Sequence, residues 1–249
     1  MRTLFATALL ALLATAPAAA AENLVSGLSL DKIEITSNYA GAEIVVFGAI
    51  ENPAQAARPD IVVAVRGPDT DIRVRRKGRV GGIWINRNRV ILHGMPSYYF
   101  VASARPLERI ASEKTLRQYG LGLDALKPRS MTGRHALEPF RQALIRHEQG
   151  EGLYAQKADG VQFLSGTLFR ARVPVPSSAP RGRYIVEVYL IRDGQVISVQ
   201  PTPLTIDQTG LERRLYDFAH LDPLAYGLST VLMAVLLGWL SSLAFRRME

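Results

Sequence analysis

Along this chain the spacing of apolar residues changes several times, and each change predicts a different element. Lys32-Ile33-Glu34-Ile35-Thr36 alternates polar with apolar, the pattern of a half-buried strand. Ala42 to Ile50 is apolar on both parities and predicts a central strand covered on both faces. Asp60 to Arg66, Ile72 to Arg76, Ile83 to Asn86 and Ser97 to Ser103 follow as short strands, separated by Gly, Pro, Asp and Asn clusters. From Pro106 to about Asp159 the period lengthens. Leu107 to Gln118 predicts a helix with Pro before it and Gly120 past its end, and a second helix starting near Glu138-Pro139 carries Phe140, Leu144 and Ile145. Strand signals return at Val161 to Val175. Gly182 to Leu190 then leads through Asp193-Gly194 into Gln195 to Thr205, and Asp-Gly between alternating runs predicts a tight hairpin.

These elements predict a mainly β domain over residues 22–208, an antiparallel β-sandwich with a helical insertion at about 106–159. Gly182-x-Tyr184-x-Val186 has the spacing of the tyrosine-corner strand of immunoglobulin-like sandwiches, so that class is the expected one.

Both ends are expected to meet a membrane. Residues 1–21 combine Arg2, an apolar stretch from Leu4 to Ala16, Pro17 and an alanine run, which predicts a secretory signal cut after Ala21. Residues 209–223 open on Thr209-Gly210-Leu211-Glu212, a capping box, and predict a short helix with Leu211, Leu215 and Phe218 on one face. That helix rests either on lipid headgroups or on its own sandwich. Leu224 to Phe245 has no charge over 22 residues. At ~1.5 Å per residue it spans about 33 Å, enough to cross a bilayer. Arg246-Arg247 after it, with Trp239 near the same interface, places residues 246–249 in the cytosol by the positive-inside rule and the sandwich outside. Thr230, Ala234, Gly238 and Ser242 recur every four residues, a small-residue stripe that would let a second helix pack closely.

Composition narrows the chemistry. The chain has no cysteine, which excludes disulfides, thiolate-ligated metals and thiol catalysis. Its formal charge is +8, and residues 58–89 alone hold nine basic residues against three acids. Arg73, Arg75, Arg76, Lys77, Arg79, Arg87 and Arg89 form the densest part, with no acid between Ile72 and Leu92. Such a block would suit nucleic acid, but export removes that partner. Anionic lipid, an acidic protein surface or a small anion remain, beside the alternative of a solvated edge that repels other sheets. Trp84 within the block, and Tyr98, Tyr99 and Phe100 after it, are either a recognition surface or the core and rim of the sandwich; core is expected. His93, His135, His147 and His220 fit no metal-ligand spacing, and no nucleophile elbow or nucleotide loop is present. No cofactor, metal or catalytic residue is expected. An enzyme would need groups such as Asp69, Asp71 and Asp124 to meet across the fold.

Four segments together carry a family resemblance: VRRKGRVGGIWINRNRV at Val74 to Val90, MPSYYFVAS after it, GRYIVEVYLIRDGQV from Gly182, and TGLERRLYDFAH ahead of the terminal helix. With them the chain resembles a family of alphaproteobacterial transmembrane proteins of about this length. The resemblance implies an inner-membrane location, a periplasmic domain and no inherited catalytic residues, and weakly an association with sulfite-exporter-type permeases. The expected function is a single-pass accessory or scaffolding protein of a membrane transporter or envelope complex. The alternative is a periplasmic receptor for a small oxyanion or glycan.

Overall fold

In the computed structural model, which describes residues 23–35, 40–51, 59–132, 136–208 and 211–246, one strand organises the rest. It is Asp60–Arg66 (β4), buried at every position from Asp60 to Val65. The predicted signal, the 246–249 tail beyond Arg246, and Thr36, His135 and Thr209 lie outside the described residues.

Three sheets surround β4. A four-stranded sheet runs in the order Asn23–Leu28 (β1), Ala42–Glu51 (β3), Leu168–Val175 (β11), Val161–Phe163 (β10). A six-stranded sheet runs Lys32–Ile35 (β2), Gln195–Gln208 (β13), Gly182–Arg192 (β12), β4, Tyr99–Ser103 (β7), Tyr154–Lys157 (β9). A three-stranded sheet joins Asp69–Val80 (β5), Ile83–Pro96 (β6) and Ser130–Thr132 (β8). All pairings are antiparallel except β2 with β13 and β7 with β9.

The alternation of side chains along a strand sends successive residues to opposite faces, and in the six-stranded sheet both faces are covered at β4, β7 and the later half of β12, while Ile185 of β12 and Ile197 and Val199 of β13 stay exposed. Ile61, Val63, Val65, Phe100, Ala102, Val186, Val188 and Leu190 face the four-stranded sheet and build the sandwich core with Ile44, Val46, Phe169 and Val173. Val62, Ala64, Tyr99, Val101, Tyr189 and Ile191 face the other way. They pack on Val90, Leu92 and Met95 of β6 and on Leu116, Phe140, Leu144 and Ile145 of the helices. The molecule therefore has three layers, the third made of the insertion and the base of the β5–β6 hairpin.

Several expectations are corrected. The strand covered on both faces is β4, not β3: β3 belongs to the outer sheet, so Phe47 is exposed while its neighbours Val46 and Gly48 are buried. Ile72 to Arg76 and Ile83 to Asn86 are parts of one long hairpin. Gly81 and Gly82 turn it at φ 57° and 86°, values that glycine adopts freely, whereas Gly78 is an in-line strand residue. The helix expected over Leu107 to Gln118 is two, Leu107–Ile110 (α1) and Glu113–Tyr119 (α2), because Ala111 is extended and bridges to Gly194. Ser112 then caps α2 by accepting from the Thr115 amide at 3.2 Å. The insertion also donates β8 and β9 to sheets, so it is not helical throughout. Its long helix is Leu137–Gly150 (α3).

Polar contacts fasten the third layer. The Arg66 guanidinium donates to Glu187 Oε2 at 3.0 Å and to the carbonyls of Tyr119 and Gly120 at 2.8 and 2.9 Å, and it lies 5.2 Å from the Tyr99 ring centroid. These carbonyls end α2, where Gly120 takes the left-handed conformation, so Arg66 supplies donors to groups the helix leaves orphaned. The Tyr99 hydroxyl donates to Gly120 O at 2.6 Å and accepts from Gly122 N–H at 2.9 Å. Burial pushes its pKa up to about 12, so it stays a neutral donor. Arg141, also buried, donates to the carbonyls of Leu123, Asp124 and Leu126 and pairs with Glu138 at 2.6 Å. In the sandwich, Tyr184 Oη donates to the Pro180 carbonyl four residues upstream, at 2.5 Å.

Removing Arg66 takes the cation from Glu187, which keeps only the Tyr189 hydroxyl, and a donor from the carbonyls of Tyr119 and Gly120, the latter keeping only the Tyr99 hydroxyl. Arg66→Met is expected to lower unfolding free energy by about 3 kcal/mol in chemical denaturation. Hydrogen exchange of α2 should rise more than that of β11; an equal rise in both would contradict the latch.

Candidate functional site

The β5–β6 hairpin divides into an anchored half and a projecting half. Ile72, Val74, Val90 and Leu92 sit on the second core, with Val90 and Leu92 fully buried. From Arg75 through the turn to Arg89 no described side chain is buried. The register there is Arg75 opposite Arg89, Arg76 opposite Asn88, Lys77 opposite Asn86, Arg79 opposite Trp84 and Val80 opposite Ile83. Between Arg76 and Lys77 the register slips by one, leaving Arg87 as the extra residue of a β-bulge.

Like charges directly across a ladder repel, yet Arg75 faces Arg89. Among the described residues, Arg73, Arg75, Arg76, Lys77 and Arg89 make no ion pair or side-chain hydrogen bond, and Arg79 only reaches Gly82 O at 3.4 Å. The acids at the hairpin base are already engaged, Asp69 by Arg129 at 2.5 Å and Asp71 by His93 at 2.9 Å. The side chain of Arg87 lies outside the described ones.

The tip adds apolar surface. Ile83 is 69% and Trp84 66% exposed, with Val80 and Ile85 beside them. The cross-strand pairs put Val80, Ile83 and Ile85 on one face of the ribbon and Lys77, Arg79 and Trp84 on the other. The expectation of a core role therefore holds for Tyr98, Tyr99 and Phe100, which are buried, and fails for Trp84, which is beyond the reach of any packed layer.

A contact invisible in the sequence joins the hairpin to α3: Arg146, Phe140, Pro139 and Ala143 face Val74, Arg75, Arg76 and Lys77 across a cleft. The positions 139, 140, 143 and 146 share a helix face, which was the available signal.

His93, on the surface of β6, joins two other polar side chains. Its Nδ1 lies 2.9 Å from Asp71 Oδ2 and its Nε2 2.9 Å from Thr132 Oγ1. A carboxylate, imidazole and hydroxyl in line have the order of a nucleophilic triad. Here the three sit on the open surface of adjacent strands and stitch β5, β6 and β8 together. Asp124 and Asp69 do not meet Asp71, and among the described residues no three His, Asp or Glu side chains are placed to hold a metal ion.

Towards the C-terminus, Leu211–Leu221 (α4) leaves Leu215, Phe218 and Leu221 exposed rather than packed on the sandwich. Pro223–Arg246 (α5) follows after one residue. Asp222 N–H donates to Phe218 O at 3.1 Å and Tyr226 N–H to Asp222 O at 3.0 Å, so backbone bonding bridges the junction. Pro223 to Ser241 is long and apolar enough to cross a membrane, and none of it is buried in the protein. Thr230, Ala234 and Gly238 lie exposed on α5, with Thr230 Oγ1 donating to Gly227 O at 2.8 Å; the side chain of Ser242 lies outside those described.

A family model described as "Putative transmembrane protein (Alph_Pro_TM)" matches residues 23–247. The chain belongs to the Alph_Pro_TM family. It is thus a mainly β membrane protein of that family, with the match running through the sandwich, the hairpin and the apolar helix. No curated protein and no solved structure matches it.

In this Alph_Pro_TM protein the hydrogen bond from His93, then that from the Gly94 amide, holds the Asp71 carboxyl below its ordinary value despite slight desolvation. A carboxyl lowered by folding contributes stability above its unfolded pKa, ~3.9, and loses it as pH falls through the lower folded value. Exchange protection of the β8 amides should therefore persist down to the normal aspartate range and fail below it, and Asp71→Asn should abolish that step. A step centred above ~4 in the unaltered protein would contradict the tie.

Proposed function

We propose that this Alph_Pro_TM protein is a single-pass inner-membrane accessory protein. Its signal, residues 1–21, is removed, its sandwich stands in the periplasm and its Arg246-Arg247 end faces the cytosol. The sandwich is read as immunoglobulin-like. Counting β1, β3, β4, β10, β11, β12 and β13 as seven successive strands, one sheet runs first, second, fifth, fourth and the other contains third, sixth, seventh. That is the constant-type order, and Tyr184 bonded to Pro180 supports it as a tyrosine corner.

The observation that carries the functional reading is the projecting hairpin: Arg75, Arg76, Lys77 and Arg89, without an ion pair among the described residues, lie below an exposed Ile83-Trp84 tip, on a base fixed in the core. Aromatic and arginine side chains held rigidly are what protein interfaces use as anchors. The partner is a membrane protein with an acidic, partly apolar periplasmic surface, such as a transporter of the sulfite-exporter type, and the Thr230, Ala234, Gly238, Ser242 stripe docks on one of its helices. The protein acts by binding rather than by catalysis.

Photo-cross-linker placed at Ile83 of the full chain in its native membrane should give a discrete adduct. Arg75→Glu with Arg76→Glu should reduce its yield at least tenfold, about the effect of removing one to two charged contacts. Gly238→Leu should also weaken co-purification in mild detergent. A protein recovered alone, with no adduct, would contradict the proposal.

A second reading, a receptor for a small anion, is favoured by one observation: the cleft between the hairpin and α3.

A further inference from the structure

We propose that this cleft is a binding site for an organic phosphate, a phosphate ester bearing an apolar group. The inference rests on the receptor reading; it shares Arg75 and Arg76 with the docking reading but not the Ile83-Trp84 tip.

The cleft has a volume of about 520 Å³ and is lined by Val74, Arg75, Arg76, Lys77, Pro139, Phe140, Ala143 and Arg146. That volume suits a small ligand or one lipid headgroup. Four cations line it, from two elements that meet only in the fold. Among the described residues none of the four has an ion pair or a side-chain hydrogen bond. The adjacent acid, Glu138, is not available to them. Its Oε atoms accept from Arg141 at 3.0 and 2.6 Å and from Gln142 at 3.0 Å, and the Arg141 bond is the main reason its pKa is lowered.

Cations gathered without counter-charge repel one another, and an anion among them removes that repulsion. The sequence gathers them by adjacency: Arg75, Arg76 and Lys77 are consecutive where β5 runs beside α3, and α3 brings Arg146 to the same cleft. The base is rigid. Val74 is packed on the second core, and α3 is fixed there by Phe140, Leu144 and Ile145 and by Arg141.

The chemistry selects among anions. Three guanidinium groups offer planar, paired donors that match phosphate oxygens, and Lys77 adds a point charge, so a doubly charged group is favoured over a single carboxylate. Val74, Pro139 and Ala143, none of them fully buried, form an apolar wall that an inorganic ion leaves uncovered. An apolar substituent on the phosphate would cover it.

Calorimetric titration of the full chain in a neutral detergent tests the site. Phenyl phosphate is the soluble probe, dihexanoyl phosphatidic acid the lipid probe and inorganic phosphate the reference. At least one organic probe should bind more tightly than inorganic phosphate, and which one does identifies a free ligand or a lipid headgroup as the source. Arg146→Gln and Arg76→Gln should each weaken it roughly tenfold, the effect of one charge-assisted hydrogen bond. Arg73→Gln and Arg89→Gln remove the same charge from the same hairpin outside the cleft and should change it less than twofold. Equal weakening by all four variants, no preference over inorganic phosphate, or no binding of any probe would overturn the site. None of these outcomes bears on the Ile83 adduct, so the two proposals fail separately.

Discussion

Burial of both faces of the central strands β4 and β7 and of the end of β12 is the constraint on which the molecule depends. In a two-layer sandwich Val62, Ala64, Tyr99, Val101 and Tyr189 would face water; here they are covered. A third layer must therefore dock on them, and apolar burial of roughly 25 cal/mol per Å² is the drive for it. The same layer contains the base of the β5–β6 hairpin, so the packing that completes the core also aims the cationic arm. Arg66 and Arg141 add specificity to that drive. Each satisfies carbonyls that the short helices and turns of the insertion leave without partners.

The division between anchored and projecting halves turns a structural element into a functional one. Below Val74 the hairpin is core, and its acids are consumed by Arg129 and His93. Above it, among the described residues, no acid pairs with Arg75, Arg76, Lys77 or Arg89. Their field extends about 8 Å at physiological ionic strength before screening, far enough to orient an approaching acidic surface. The tip supplies apolar area for the final contact, while the cleft against α3 offers a smaller, shaped site. Both sit on a chain whose apolar helix ties it to a bilayer, which confines any partner search to the membrane surface.

Local pattern revealed the elements that local forces determine. Asp193-Gly194 is a hairpin turn at φ 49° and 76°, β4 runs over the expected residues, and the apolar run from Leu224 lies within α5. What local pattern missed depends on distant residues. Asn23–Leu28 has no strong alternation of its own and is ordered by its partner strand, β3. The α1–α2 break arises from a bridge between Ala111 and Gly194. Which strand is covered twice could not be told from apolar content alone, since β3 and β4 read alike and differ only in what lies beyond their sheets. The candidate site divides in the same way. The arginine run and Trp84 stand out in the sequence, whereas Arg146 and the Asp71, His93 and Thr132 line require α3 and β8 to be placed first.

On the proposed topology the cationic hairpin stands on one side of a membrane and the C-terminal arginine pair on the other. The chain has no cysteine of its own, so a single introduced one reports its position without background. Lys77→Cys should react with a membrane-impermeant maleimide in intact spheroplasts, and Met248→Cys only after permeabilisation. Labelling of both without permeabilisation, or of Met248→Cys alone, would contradict the account.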